Sequence, residues 1–222
     1  MIRLTQAALL ARLSGKVIRW QPLMGALLVT GTVLVWTEPL TWKGALWPLR
    51  LIAVLLTLAS VFVLDDAAAN VVAPVPLPLW ARTALRLGFA LVWIVPVWGV
   101  SLLVLGPYLP AVWILWSTVE LAGMLVVGLA GTVMLTRRGM REPGVAAAPS
   151  VVGGTLLIFV LPGPVAMLTL RPQDWTAAHL RWSLLLMAGL AALTWMSRDP
   201  VRRSTLTSQL AGSRNGLRVP GK

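Results

Sequence analysis

The 222 residues contain no cysteine and a single histidine, His179. Disulfide frameworks, thiol chemistry and zinc sites built from Cys and His clusters are therefore excluded. Acidic residues are also scarce, because Asp and Glu together number 7. A membrane prenyltransferase or phosphotransferase needs several clustered carboxylates to hold its metal ion, and this chain does not offer such a cluster.

Motifs of ATP hydrolysis and serine hydrolysis are absent as well. The phosphate-binding loop Gly-x-x-x-x-Gly-Lys-Ser/Thr does not occur, because Gly15-Lys16 lacks both the upstream glycine and the following hydroxyl residue. The Gly-x-Ser-x-Gly motif of serine hydrolases is absent too. We therefore predict that this chain is not an enzyme and binds no cofactor of its own.

Apolar residues dominate the composition. They make up 58% of the chain, charged residues only 12%, and the mean hydropathy is +0.82, whereas soluble domains carry roughly 25% charged residues. Several stretches approach the ~20 residues that cross a bilayer. The sequence predicts an all-α polytopic membrane protein with one transmembrane domain over residues 1–196 and a basic tail over 197–222. The six predicted spans are about 22–37, 45–64, 85–106, 109–135, 144–168 and 180–196.

The distribution of positive charge predicts the orientation of these spans. The net charge is +12, and all of the 19 Lys and Arg residues except Lys43, Arg50, Arg171 and Arg181 fall at the ends of the chain, between spans two and three, or between spans four and five. Under the positive-inside rule both termini are cytoplasmic, and the expected location is the bacterial inner membrane. Cationic cytoplasmic loops then account for the positive charge, so nucleic acid is not an expected partner. Tryptophans at predicted span ends are expected to lie in the interface: Trp36, Trp42, Trp47, Trp80, Trp175 and Trp182.

Residues 2–20 predict an amphipathic helix in the cytoplasmic interface. Apolar side chains repeat at helical spacing, while Arg12, Lys16 and Arg19 share another face. Trp20 ends this helix, and the proline at position 22 predicts a bend into the membrane. A topology anchor and a mechanical element are both open interpretations.

An acidic and proline-rich loop follows the second span. Asp65 or Asp66 can cap a short helix, the alanines after them favour helix, and the prolines then enforce an extended segment. Two acids on a basic surface offer a docking point to a cationic partner, although a simple helix cap explains them equally. The loop residues of this candidate site are Asp65, Asp66, Asn70, Pro76, Pro78 and Trp80.

Glu120 stands in the middle of the fourth predicted span. A carboxyl at that depth costs on the order of 2.5–3.5 kcal/mol when charged and unpaired, so it is expected to face protein or water. No Lys or Arg is expected at matching depth, and desolvation then favours the neutral form. Ser117 shares its helix face and is a candidate hydrogen-bond partner. Structural contact and a substrate or proton site both remain open. Three glycines further along permit close helix approach: Gly123, Gly128 and Gly131.

The fifth predicted span contains a proline-glycine-proline sequence near its outer end. Pro162, Gly163 and Pro164 predict a broken helix or a short re-entrant element there, and an ordinary frayed helix end is the alternative.

This order of features resembles the permease subunit of type-2 ATP-binding cassette exporters. The segment Leu64-Asp65-Asp66-Ala67-Ala68-Ala69-Asn70, with Pro76-Leu77-Pro78-Leu79-Trp80 after it, is similar to the corresponding loop of small bacterial permeases of that kind. The resemblance implies pairing with a second permease copy or a related permease. It also implies separate ATPase subunits that bind ATP and Mg, and export of a hydrophobic or amphipathic substrate. Residues 65–80 are then the coupling loop, 2–20 the connecting helix and 159–178 the outer gate.

Two other classes of protein fit the same sequence. A proton- or ion-coupled secondary transporter or channel could use Glu120 as its ion site. A non-transporting subunit could stabilise a larger membrane complex. A neighbouring or co-purifying ATPase favours the exporter, and transport that follows the proton gradient without ATP favours the second class.

Overall fold

The computed structural model describes residues 20–37, 41–63, 79–140, 142–162, 165–169 and 174–196. All regular secondary structure in these ranges is helical. Six α-helices follow one another, with a short 3-10 helix, Gly106–Tyr108, between the third and the fourth. The α-helices are α1 (Trp20–Trp36), α2 (Trp42–Val63), α3 (Leu79–Leu105), α4 (Ala111–Arg137), α5 (Pro143–Val160) and α6 (Trp175–Met196).

The predicted all-α polytopic membrane fold is confirmed. Helices α2 to α6 are long and apolar enough to cross a bilayer, and α1 is apolar with 17 residues. At 1.5 Å per residue α1 is about 26 Å long, close to the ~30 Å hydrocarbon thickness. The chain is therefore a multi-pass membrane protein.

Three helix ends differ from the predicted spans by five residues or more, and one of them is the start of α6, which lies at Trp175 and not at 180. Helix α5 ends at Val160 and not at 168, because Leu161 precedes a proline and takes the extended conformation, with φ −57° and ψ 131°. Helix α3 begins at Leu79 and not at 85. The arginines in its first two turns lower the local hydropathy, yet arginine is a good helix former and does not interrupt the helix.

Aromatic contacts show which helix ends lie together. The Trp42 and Trp113 rings at the starts of α2 and α4 are 4.4 Å apart, and Trp113 stacks at 4.2 Å on Trp175 at the start of α6. Trp47 near the start of α2 stacks at 5.3 Å on Phe159 at the end of α5. We call this end of the bundle the outer end and the opposite end the inner end, following the orientation that the charge distribution predicts.

Helices α2 and α4 form the centre of the bundle. In the most apolar stretch of each helix, 67% of α2 and 56% of α4 are buried, against 22% or less in α3, α5 and α6. Helix α2 packs against α1, α3, α4 and α5, while α4 also packs against α6. The outward faces of the other helices expose large apolar side chains, which suits contact with acyl chains: Leu28, Val35, Leu103, Leu156, Val160 and Leu184.

Glycines set the closest approach between helices α4 and α6. A Cβ added at Gly123 would lie 2.8 Å from Cε3 of Trp182, and one at Gly189 would lie 2.8 Å from Cγ1 of Val126. At Gly128 the nearest side-chain atoms of α2 would lie at 3.2 Å. The predicted close packing is thus confirmed at Gly123 and Gly128. The prediction is wrong at Gly131, where an added Cβ would have no described atom of another residue within 4 Å, apart from the backbone of its own helix.

Candidate functional site

Three ionisable side chains from three helices meet in the outer half of the bundle. Arg50 lies about two turns into α2, Glu120 lies between two and three turns into α4, and His179 lies about one turn into α6. Because these three helices all start at the outer end, the side chains reach a common depth. Their exposed fractions are 2% for Arg50, 2% for Glu120 and 0% for His179. We call these three residues the buried triad.

Arg50 and Glu120 form a two-pronged ion pair. Nε of Arg50 donates to Oε2 of Glu120 at 3.0 Å, and Nη2 donates to Oε1 at 3.0 Å. Such paired N–H···O bonds match the planar guanidinium to an ionised carboxylate. The prediction that no Lys or Arg lies at the depth of Glu120 is therefore wrong, and with it the expectation of an unpaired, neutral carboxyl.

His179 approaches the same carboxylate from α6. Its Nδ1 lies 2.7 Å from the carbonyl oxygen of Trp175, one turn earlier in the helix. Its Nε2 lies 3.2 Å from Oε1 of Glu120, where it makes no aligned hydrogen bond. Sequence reasoning missed this role, because His179 falls just before the predicted sixth span and 59 residues separate it from Glu120 in the chain.

Tryptophan rings enclose the triad. Trp116 and Trp175 lie with ring centroids 4.9 Å and 4.6 Å from the imidazole of His179. Cζ of Arg50 lies 6.0 Å from the centroid of Trp175, within the range of a cation–π contact. Trp175 and Trp182 are buried, 5% and 0% exposed, so their indole rings pack against neighbouring protein groups and not against water or lipid headgroups.

The segment 165–169 closes the site from the outer side. Nη1 of Arg181 donates to the carbonyl of Ala166 at 2.6 Å, and Nε1 of Trp182 donates to the carbonyl of Met167 at 2.8 Å. Nη2 of Arg50 donates to the carbonyl of Thr169 at 3.3 Å. These donors from α2 and α6 hold the segment against the bundle, because its own carbonyls have no helical partners.

Most of the unpartnered buried polar atoms in the described ranges belong to this site. Nη1 of Arg50, Nε1 of Trp175 and Nε2 of His179 are buried without a hydrogen bond, and so is Oγ of Ser117. The predicted hydrogen bond between Ser117 and Glu120 is therefore not formed, although Ser117 is buried beside it, 3% exposed. No group of three metal-ligating side chains occurs in the described part of the chain.

Two large cavities lie away from the triad. One of about 660 Å³ lies between α1, α2 and α5, and one of about 330 Å³ lies mainly between α4, α5 and α6. Both linings are apolar side chains with a few hydroxyl groups, and neither contains a charged residue. Neither cavity is therefore a water-filled polar path.

Several predicted site residues lie outside the described ranges. They are Arg12, Lys16 and Arg19 of the interfacial helix, Asp65, Asp66, Asn70, Pro76 and Pro78 of the loop, and Gly163 and Pro164 of the gate. Trp20, Gln21 and Pro22 form the first turn of α1, where proline is well tolerated, so the bend predicted at these residues is not found. Trp80 is the second residue of α3, and Pro162 follows the end of α5.

Comparison with protein-family models, with curated proteins and with solved structures finds no match to this chain.

Proposed function

We propose that this chain is the transmembrane permease subunit of an ATP-binding cassette exporter in the bacterial inner membrane. The supporting observation is the closed interior of the six-helix bundle. Helices α2 and α4 fill its centre, and the buried triad joins α2, α4 and α6 in the outer half. The main path for substrate is then expected between two copies of the bundle, or between this chain and a related permease.

The cavities favour a hydrophobic or amphipathic substrate. Both lie between helices and have apolar linings, so they suit acyl chains or apolar groups better than hydrated ions. Energy for export would come from a partner, because the sequence has no phosphate-binding loop. ATP and Mg therefore belong to the separate nucleotide-binding subunits. The proposed outer gate includes Pro162, which follows the end of α5 at the outer end of the bundle, together with Gly163 and Pro164, which lie outside the described residues.

Purification in mild detergent with identification of every co-purifying chain tests this proposal. We expect ATP-binding subunits and two permease copies in the complex. Purification with other membrane chains and no ATPase would instead support the non-transporting subunit. Recovery as a complete, ATP-independent transporter would contradict the proposal.

A paired substitution tests the coupling loop. Asp65→Ala combined with Asp66→Ala removes the two acids that are proposed to contact the ATPase, so transport should fall severalfold while ATP hydrolysis continues. Glu142→Ala is the control, because it removes an acid from the other predicted cytoplasmic connection, directly before α5. Unchanged coupling in the double variant would exclude the docking role.

The proton-coupled secondary transporter remains a second candidate because Glu120 lies 3.2 Å from Nε2 of His179. A carboxylate beside an imidazole inside a membrane domain is an arrangement that can bind protons. Transport that follows the proton gradient, requires no ATP and is abolished by Glu120→Gln would support this candidate over the exporter.

A further inference from the structure

The larger cavity is a groove on the side of the bundle. Helices α1 and α5 both pack against α2, and between them part of α2 stays uncovered. Leu51 of α2 lines this groove and is 47% exposed, although α2 is the central helix. Leu156 on the α5 wall is 60% exposed. Leu51 lies about 14 Å from the start of α2, so the groove opens at the depth of the acyl chains.

The lining of the groove offers little to a polar ligand. Three threonines contribute to it, and the Oγ1 of each donates to the carbonyl four residues earlier, at 2.9 Å for Thr32, 2.6 Å for Thr37 and 2.8 Å for Thr155. These hydroxyls therefore need no partner in the groove. The other polar side-chain atoms of the lining are the indole N–H groups of Trp36 and Trp47, near the outer end. The deeper part of the groove is thus apolar.

An apolar groove of this size requires a hydrocarbon to fill it. Its volume of about 660 Å³ falls in the range of small-molecule sites, roughly 300–1,000 Å³. Water gains few hydrogen bonds in an apolar space, and an empty space forfeits the dispersion contacts of its walls. Since the groove opens into the bilayer, the hydrocarbon in contact with it is a lipid acyl chain.

A cation lies beyond the groove on the same side of α2. Lys43, Trp47 and Leu51 follow one another at intervals of four residues and therefore share a helix face. Lys43 is exposed and lies about 6 Å further out along the axis than Trp47. Helices α1 and α5 carry no charged residue, and the other charge of α2, Arg50, is paired with Glu120. Lys43 is therefore the charge that these three helices present to lipid phosphates.

From these observations we infer that the groove is a binding site for an anionic phospholipid of the surrounding bilayer. One acyl chain lies between α1, α2 and α5. The phosphate lies at the outer end, where Lys43 attracts it and the indole N–H groups of Trp36 and Trp47 are available as donors. The inference concerns binding, and it does not depend on the proposed export or on whether this lipid is itself exported.

Photolabelling locates the lipid. The full chain is held in phosphatidylcholine nanodiscs that contain a little phosphatidylglycerol with a photoactivatable group on one acyl chain. Labelling should be severalfold stronger at Leu51 and Leu156 than at Leu103 of α3 and Leu184 of α6, although these two are more exposed, 78% and 63%. Excess unlabelled phosphatidylglycerol should suppress the groove labelling. Labelling that follows exposure alone would overturn the inference.

A charge-removing variant tests the headgroup site. Lys43→Gln should lower the preference of the groove for a phosphatidylglycerol probe over a phosphatidylcholine probe about fivefold. Arg138→Gln is the control, because it removes the same charge from an exposed residue at the opposite end, directly after α4. General attraction to a chain of net charge +12 would respond equally to both substitutions. Equal responses would therefore overturn the inference.

A bulky residue in the groove tests the acyl-chain site independently of charge. Val152 lines the groove and is 41% exposed, so Val152→Phe should reduce labelling of Leu51 severalfold. Val104 on α3 is 42% exposed and does not line the groove, so Val104→Phe should leave that labelling unchanged. Equal labelling in the two variants would contradict an acyl chain in the groove.

The absence of cysteine permits a test for the rival occupant, a second copy of this chain. The variant Leu51→Cys has one thiol, which lies in the groove. A groove filled by lipid should give little disulfide-linked dimer in this variant under mild oxidation. Efficient cross-linking through this thiol, together with weak lipid labelling of the groove, would show that a second copy covers it and would overturn the inference.

Discussion

The outer and inner halves of the bundle are held together by different kinds of contact. In the outer half, side chains bond across helices: Arg50 to Glu120, and Trp98 Nε1 to Thr118 Oγ1 at 3.1 Å. In the inner half, the buried hydroxyls of Thr57, Ser60 and Thr132 bond carbonyls of their own helices. Directional bonds between helices thus hold the outer half, whereas packing at glycines contributes to holding the inner half.

This difference has a mechanical meaning. A two-pronged ion pair fixes the angle and the distance between two helices, because its atoms must stay aligned. Apolar packing in a membrane competes with lipid contacts of similar polarity, so it permits adjustment at lower cost. The inner half, from which the proposed ATPase-coupling loop extends, is therefore the half in which helices are freer to rearrange.

The largest expected effect comes from breaking the ion pair. Arg50→Met and Glu120→Met should each destabilise the protein by about 3–5 kcal/mol, because each leaves one buried charge without its partner. The double variant should lose much less than the sum of the two, since both charges are then gone. Unfolding in denaturing detergent, followed by tryptophan fluorescence, measures the free energy of unfolding of the two single variants and of the double variant relative to the wild type. Additive losses would contradict a direct pairing.

A glycine substitution tests close packing with a matched control. Gly123→Ala places a methyl group against the Trp182 ring and should cost about 1–3 kcal/mol. Gly131→Ala adds the same methyl group to the same helix, where no described atom is near, so it should be neutral or slightly stabilising. The same unfolding assay compares the two. Equal effects would mean that α4 and α6 are not in close contact at Gly123.

The smallest expected effect comes from one substitution made in both halves. Thr118→Val removes the acceptor of the Trp98 indole N–H and should cost about 1 kcal/mol. Thr132→Val removes a hydroxyl that bonds only the carbonyl of Gly128, within the same helix, and should cost less than about 0.5 kcal/mol. A larger loss for Thr132→Val would reverse the comparison between the halves.

The sequence predicted the helices better than the site. Long apolar stretches place the spans, and Pro162 marks the end of α5, because both signals are local in the chain. By composition alone Arg50 groups with the outer-loop charges, since a charge near the edge of a span is indistinguishable from one that flanks it. Its contact with Glu120 joins residues 70 positions apart. Such a pairing depends on which helices are neighbours, and hydropathy does not encode that.

The ion pair also has a consequence for biogenesis. Helix α2 leaves the ribosome before α4, and at roughly 5–20 residues per second the intervening 70 residues take several seconds. During this interval Arg50 has no carboxylate to pair with. A charged residue at the centre of a helix raises the free energy of its membrane insertion by about 2.5–3.5 kcal/mol. Because Arg50 lies in the outer part of α2, its long side chain can extend toward the headgroups until α4, which carries Glu120, is inserted. We therefore expect insertion of this protein to include an interval in which Arg50 is unpaired, and we expect this interval to end when α4 packs against α2.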